Sequence, residues 1–367
     1  MSVSKGLVIC VTNEITYDQR VLKIAHTLYE AYQVKVTIIG RKLAGNDQDQ
    51  SQKLIFKRLD CFFKSGPAFY LEYNIRLFFF LIVFRKSYNT VCCCDPDTII
   101  GGMSAAKILK KNTFYDAHEW FTEVPELMGK ELKKKIWSAV EKFGIKNSQK
   151  RYTVGPILAS KLAEIYGSSF EVIRNVPKVE SGIDQHFTKE NILLYQGAIN
   201  QGRGLETLLE ASKYLPNFQI LLVGDGDVKA QLMAQKDDEK LNNVKFVEKQ
   251  TPEQLKIITQ KAKYGYNLLD ASSLSYRFSL ANKFFDYAAL GVVSINSLLP
   301  EYEHLIKKYD HALMLKDLDA RDFADLINKI SEEERKLMLE RGEKMAFDNS
   351  WELESSKLIN LYRPFLS

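Results

Sequence analysis

The sequence predicts an α/β protein built from two doubly wound domains in tandem, and three observations carry that prediction. Short, continuous apolar runs recur along all 367 residues, the kind buried on both faces of a parallel sheet. Segments with apolar residues at helical spacing separate most of them. The chain is also too long for one typical core, so two domains are expected.

Composition narrows the class. A hydrophobic content of 46% with 26% charged residues is that of a folded globular chain. The net charge of +5 is modest, and the only concentrated basic run is Lys133–Lys135, so no nucleic-acid partner is expected. A mild positive excess suits an anionic small substrate or a membrane surface equally well. Cys92, Cys93 and Cys94 are consecutive, alternate faces of a strand, and read as reduced cytosolic thiols. The start of the chain reads as a strand rather than a signal peptide, and no apolar run is long enough to span a bilayer. The expected location is cytoplasmic, with peripheral contact at the inner face of a membrane left open.

In the first half, Leu7–Val11 is the opening strand, Val21, Ile24, Ala25, Leu28 and Ala31 mark a helix, and Val34–Ile39 is the next strand. The intervening loop lacks the glycines of a dinucleotide fingerprint. Asp18 and Arg20 at the helix start read as a cap with a surface charge, with a functional role equally open. Further strands are expected at Leu54–Phe56, Thr90–Cys94, Thr113–Tyr115 and Arg151–Val154. The aromatic segment Phe69–Lys86 reads as a buried helix, with interfacial contact as the alternative because Arg76, Arg85 and Lys86 flank it. Asp95-Pro96-Asp97 imitates a D-x-D metal motif, but a turn with Asp97 capping the next helix is the preferred reading. Tyr115–Trp120 ends a strand with Asp116, His118 and Glu119, at the edge where parallel sheets bind ligands. His118 is placed to contact a substrate hydroxyl or to move a proton, unless its own loop satisfies it.

A polar linker is expected over residues 178–191, and the alternation then restarts at Ile192–Tyr195, Gln219–Val223, Val244–Val247, Tyr264–Leu269 and Val292–Ile295. Between Gly197 and Gly204 the glycines permit close backbone approach, and Arg203 can bridge two oxygens of a diphosphate. Gly224-Asp225-Gly226 makes a second glycine turn. The backbone near Thr251 offers either a nucleobase contact or a helix cap. The stretch Ser279–Gly291 predicts a helix starting near Leu280, whose free N–H groups at Leu280, Ala281 and Asn282 would attract phosphate. Lys283 adds a cation, and Asp286, a turn further on, a carboxylate for ribose hydroxyls. An ordinary amphipathic helix with Phe284, Phe285 and Ala288 in the core fits the same residues.

Taken together, these residues resemble the GT-B glycosyltransferases, in particular retaining family 4 and a bacterial branch of it, over nearly the whole chain. The carrying motifs are Gly197 to Gly204, with a basic residue just before the last glycine, the Gly224/Gly226 turn, and Asp286 at the second acid of an E-x7-E segment. Asp18–Val21, Tyr115–Glu119 and the Ser350-Trp351-Glu352 tail add to it. Two departures stand out: Phe278 occupies the first acid position, and Ala198 stands where many members carry arginine.

The resemblance implies two Rossmann-like domains facing across a cleft: residues 1–177 for the acceptor, 178–349 for the nucleotide sugar, and 350–367 as a helix crossing back. It implies retaining transfer of a sugar from a nucleotide-diphosphate donor to a saccharide or lipid-linked acceptor, without metal or bound cofactor, in surface polysaccharide or glycolipid synthesis. Catalytic roles fall on His118, Glu119, Arg203 and Lys283. Donor contacts fall on Gly197, Arg203, Gly224, Thr251, Leu280, Ala281, Asn282, Lys283 and Asp286, and acceptor contacts on Asp18 and Arg20. Three alternatives remain: a metal-dependent GT-A-like transferase using Asp95 and Asp97, a nucleotide-sugar epimerase of the same architecture, and a non-catalytic sugar-binding protein.

Overall fold

The computed structural model describes residues 6–15, 18–43, 51, 53–179 and 188–367. The chain divides into two compact units, Met1–Asn175 with Glu354–Ser367, and Val176–Leu353. Most of the expected linker, including Gly182, lies outside the described residues.

Unit 1 holds seven strands: β1 (Gly6–Cys10), β2 (Lys35–Arg41), β3 (Ile55–Leu59), β4 (Thr90–Cys94), β5 (Asn112–Ala117), β6 (Lys150–Thr153) and β7 (Glu171–Val172). They pair in the order β3-β2-β1-β4-β5-β6-β7, every pair parallel. The central strands β1 and β4 are buried at every residue, which explains their continuous apolar sequence. The cysteines of β4 are free, buried thiols. Sheet order reverses between β1 and β4, so the loops after β1, β4 and β5 meet at the carboxyl edge, where such sheets open a crevice.

Two helices of this unit differ from expectation. Helix Gly66–Val83 begins at a serine–glycine–proline sequence, with Pro67 in its first turn. One stripe of it, Phe69, Tyr73, Leu77 and Leu81, is buried. Leu71, Ile75, Phe79 and Val83 are exposed, so the segment is not a buried helix: helix Ile99–Ile108 packs against only one side of a helix that is apolar all round. Asp97 does not cap helix Ile99–Ile108 either. It lies in a 3-10 turn, Pro96–Thr98, and its carboxylate accepts from the Thr12 hydroxyl.

From Glu354 onward, the last helix, Trp351–Leu366, belongs to unit 1. Tyr362 stacks on Phe114 at 3.8 Å between ring centroids, and its hydroxyl lies 3.2 Å from that of Tyr152.

Unit 2 holds β8 (Glu190–Gln196), β9 (Gln219–Val223), β10 (Val244–Val247), β11 (Ala262–Asn267), β12 (Val293–Ser297) and β13 (Leu313–Leu315). Their order is β10-β9-β8-β11-β12-β13, again parallel, with the reversal between β8 and β11. Apolar clusters cover both faces, one including Leu193, Tyr195, Ile220 and Leu222, the other Leu194, Leu221 and Val223. The alternation of these neighbours between faces is the period of two that a strand imposes. Helix Asn282–Ala289 starts two residues later than expected, because Ala281 is an extended cap and Leu280 lies outside the helix. Its inner face, Phe284, Phe285, Tyr287 and Ala288, is core.

Candidate functional site

Unit 2 gathers three backbone features at its sheet reversal. Gly197 follows β8 with φ 127°, and Gly224 follows β9 with φ 151°. A Cβ on Gly224 would overlap the Gly197 carbonyl oxygen, and one on Gly226 would overlap the Ile199 carbonyl and the Asn200 side chain. The two turns are thus packed backbone on backbone, which only glycine permits. Opposite them is the start of helix Asn282–Ala289. Its cap residue Ala281 has no side-chain oxygen to offer, and the Ala281 amide donates instead to the Tyr302 hydroxyl at 3.1 Å.

Two cations point into this cradle. Lys283 Nζ lies 3.5 Å from where a Cβ on Gly197 would stand and 3.8 Å from the centroid of the Tyr195 ring. Burial, then the like charge of Arg203, pull its pKa well below the ordinary lysine range, and Asp286 only partly offsets them. The Arg203 guanidinium sits 4.9 Å from the Tyr276 ring centroid, and its buried Nε has no hydrogen-bond partner. Aromatic faces therefore hold both cations where hydrogen-bond acceptors would be expected. An anion with several oxygens would satisfy Arg203 Nε and offset the burial and like charge that lower Lys283 at once. The structure so brings together Gly197, Gly224, Arg203, Lys283 and, through its charge, Asp286.

Thr251 is accounted for differently. Its hydroxyl accepts from Gln254 N at 3.3 Å and its amide donates to Gln254 Oε1 at 3.1 Å, a capping box that uses both groups. A donor contact there would have to displace its own cap.

In unit 1 the carboxyl edge is a charged chain. Arg20 Nε and Nη2 donate to Asp116 at 3.1 and 2.7 Å, and Nη1 to the Ile173 carbonyl at 2.9 Å. Arg20 is 5% exposed and Asp116 0%. Arg20 is therefore not an acceptor-binding surface charge: its donors are turned inward by a buried partner. Asp18 is the cap of helix Gln19–Tyr32, accepting from Val21 N at 3.1 Å and from Asn13 Nδ2 at 3.3 Å.

His118 Nε2 lies 3.0 Å from Asp116 Oδ2, Nδ1 lies 3.5 Å from Asp95 Oδ2, and the His118 amide donates to Asp95 Oδ1 at 2.9 Å. Burial works against a charged ring, but Asp116 and Asp95 outweigh it and raise His118 to about 10. Asp116 is opposed by burial too, yet Arg20 and His118 hold it down at about 2. A histidine raised this far is an imidazolium at neutral pH, so it is set to donate a hydrogen bond or a proton rather than to accept one. Burial pushes Asp95 up, and lifts Asp97 to about 6 against the Thr12 hydrogen bond.

Cys94, Asp116 and His118 offer ligand atoms within 4.8 Å of one another. The set suits a metal poorly, because both Asp116 oxygens are taken by Arg20 and the guanidinium charge would repel a cation. Beside this chain opens a cavity of about 760 Å³ in unit 1, lined by Asp95, Asp97, His118 and Glu119 on one side and by Tyr70, Phe121 and Trp137 on another. Sequence reasoning missed this aromatic wall, and it missed Tyr195 and Tyr276. Tyrosine within an aliphatic strand run was the available signal for Tyr195.

Residues 179–345 match the family model described as glycosyl transferases group 1. Among solved structures, the sucrose-phosphate synthase of Thermosynechococcus elongatus is similar over 98% of each chain at a TM-score of 0.79, with 16% identity. Anabaena Alr3699/HepE in complex with UDP-glucose covers 98% of this chain and 99% of its own, at 0.77 and 11%. WaaG, described as a glycosyltransferase involved in lipopolysaccharide biosynthesis, covers 97% and 99%, at 0.76 and 13%. The fold is GT-B. Within GT-B, the glycine cradle falls inside the matched residues 179–345, and the His118 chain falls outside them. No curated protein sequence matches the chain.

Proposed function

We propose that this GT-B protein is a retaining, family 4-like hexosyltransferase that moves a sugar from a nucleotide-diphosphate donor to an acceptor hydroxyl without a metal ion. The observation that carries the reading is the pair of cations without acceptors, Arg203 and Lys283, aimed at the glycine cradle beneath an uncapped helix start. A departing nucleoside diphosphate gathers negative charge as the anomeric C–O bond breaks. Arg203, Lys283 and the N–H groups at Asn282 and Lys283 are fixed where that charge would grow, so they need little rearrangement in the transition state. Asp286, one turn on, accepts hydrogen bonds from the ribose.

The His118 imidazolium and Glu119 line the cavity of unit 1 and would contact the transferring sugar and the acceptor. Support for a UDP-sugar comes from Alr3699/HepE, whose structures hold UDP and UDP-glucose. Support for a polysaccharide or glycolipid acceptor comes from WaaG. A bacterial, cytoplasmic setting belongs to the same reading.

The test is calorimetric titration with UDP, GDP, ADP and dTDP sugars, followed by turnover with and without chelator. One nucleotide sugar should bind, and Arg203→Ala should weaken it by about 1.5–3 kcal/mol, the range for charge-assisted hydrogen bonds. Asp286→Asn should weaken it less than Asp286→Ala. Unchanged affinity in Arg203→Ala, Lys283→Met and their double variant would sink the placement. Donor conversion without any acceptor would point to an epimerase, and turnover lost to chelator and restored by Mn²⁺ to a metal-dependent enzyme.

A further inference from the structure

The outward side of helix Gly66–Val83 is built unlike a solvated surface. Leu71, Ile75, Phe79 and Val83 recur every fourth residue and are 66%, 48%, 61% and 67% exposed. A spacing of four keeps them on one side of the helix, opposite the buried stripe of Phe69, Tyr73, Leu77 and Leu81. The charges beside this stripe are Glu72 and Arg76, and they cancel: Arg76 Nε donates to Glu72 at 2.7 Å. Glu72 also accepts from the amides of Phe62 and Phe63, both at 2.9 Å. The carboxylate thereby pins a loop whose Phe62 ring is 82% exposed against the same helix. A contiguous apolar surface of this kind marks an interaction site.

Charge identifies the occupant. Unit 1 carries 28 Lys and Arg against 18 Asp and Glu, and unit 2 carries 23 against 28, so the whole positive excess of the chain sits on unit 1. Arg85 and Lys86 are exposed immediately past the helix end, and Lys133 and Lys135 are exposed beside Leu132 and Ile136 on helix Glu131–Asn147. Leu71 and Ile136, from the two helices, both line the cavity of unit 1. No helix among the described residues is long and apolar enough to cross a membrane, so contact at the surface is the geometry available.

We propose that this helix face docks on an anionic lipid bilayer, with its apolar side chains in the headgroup–acyl boundary and the flanking lysines and arginines on the lipid phosphates. The cavity rim at Leu71 and Ile136 then lies at the membrane surface, where a lipid-linked acceptor would present its hydroxyl. Docking itself needs only the surface, and the delivery of an acceptor rests on the transferase reading.

The experiment is sedimentation of the full chain with vesicles of phosphatidylcholine alone and with about a third phosphatidylglycerol, in low and high salt, with no donor present. Binding should favour the anionic vesicles by about tenfold or more and fall with salt. Ile75→Ser with Phe79→Ser, and separately Arg85→Glu with Lys86→Glu, should each cost about tenfold in partitioning while leaving the melting temperature unchanged. As a gain of signal, Phe79→Trp should shift its emission to the blue on anionic vesicles. Equal sedimentation with both vesicle types, or none, overturns the proposal. So does a concentration-dependent dimer that Ile75→Ser with Phe79→Ser dissolves while vesicle partitioning stays as it was, because the face then belongs to a second copy. Partitioning and donor titration are separate readouts: a protein that docks but binds no nucleotide sugar refutes the transferase reading alone.

Discussion

Replacing Arg20 by methionine removes a guanidinium that is 5% exposed and leaves Asp116, at 0%, with a buried negative charge. Removing one partner of a buried ion pair costs about 3–5 kcal/mol, because the remaining charge keeps its desolvation penalty. Here His118 remains 3.0 Å from Asp116 Oδ2 and loses the repulsion of Arg20, so it stays protonated and retains part of the compensation. The loss at neutral pH should therefore lie at the lower end, about 3 kcal/mol. For a unit of this size that is roughly 6–12 °C in the calorimetric transition of unit 1. Asp116→Asn should also destabilise, by leaving Arg20 without its carboxylate. The two changes together should cost less than their sum by about 2 kcal/mol, since the double variant buries no unpaired charge. Donor affinity should not move in any of the three. A cycle that closes additively, or an Arg20→Met protein as stable as wild type, would refute the buried-pair account and return Arg20 to the surface as a ligand contact.

Two further predictions test the geometry. Because His118 is raised from an ordinary 6.5 to about 10, its contribution to stability is full below pH 6.5 and is lost as pH rises through 10. The melting temperature of unit 1 should fall across that window in wild type and fall less in His118→Gln, as read by calorimetry in a buffer series; parallel slopes would contradict the raised imidazolium. Gly224→Ala puts a Cβ on the Gly197 carbonyl at φ 151°, so it should cost about 1–3 kcal/mol and reduce donor binding by calorimetric titration, while a wild-type melt would show the two turns are not in contact.

The sequence by itself determined the fold class and the positions of most strands. Residues buried on both faces of a parallel sheet must be continuously apolar, so Thr90–Cys94 and Gln219–Val223 were legible to the residue, and the edge strand Val244–Val247 was legible despite its exposed Lys245. Edge strands β7 and β13, only two and three residues long, carry too few apolar positions to stand out, unlike the longer edge strands β3 and β10. The meeting of Gly197, Gly224, Arg203 and Lys283 in space was partly legible as well, because close backbone approach demands glycine.

What tertiary structure alone decided is where each polar group spends its hydrogen bonds. Asp116 lies 96 residues from Arg20 in sequence, and only the pairing of β4 and β5 beside the first helix makes the arginine its partner and the histidine a cation. Local spacing can offer Asp97 or Thr251 as a cap with equal force. The competing partner, Thr12 on a distant loop for one and Gln254 three residues away for the other, settled them in opposite ways. Exposure was decided the same way. Leu77 and Phe79 are alike in hydrophobicity, and the layer packed beneath the helix, chiefly helix Ile99–Ile108, covers only one of them.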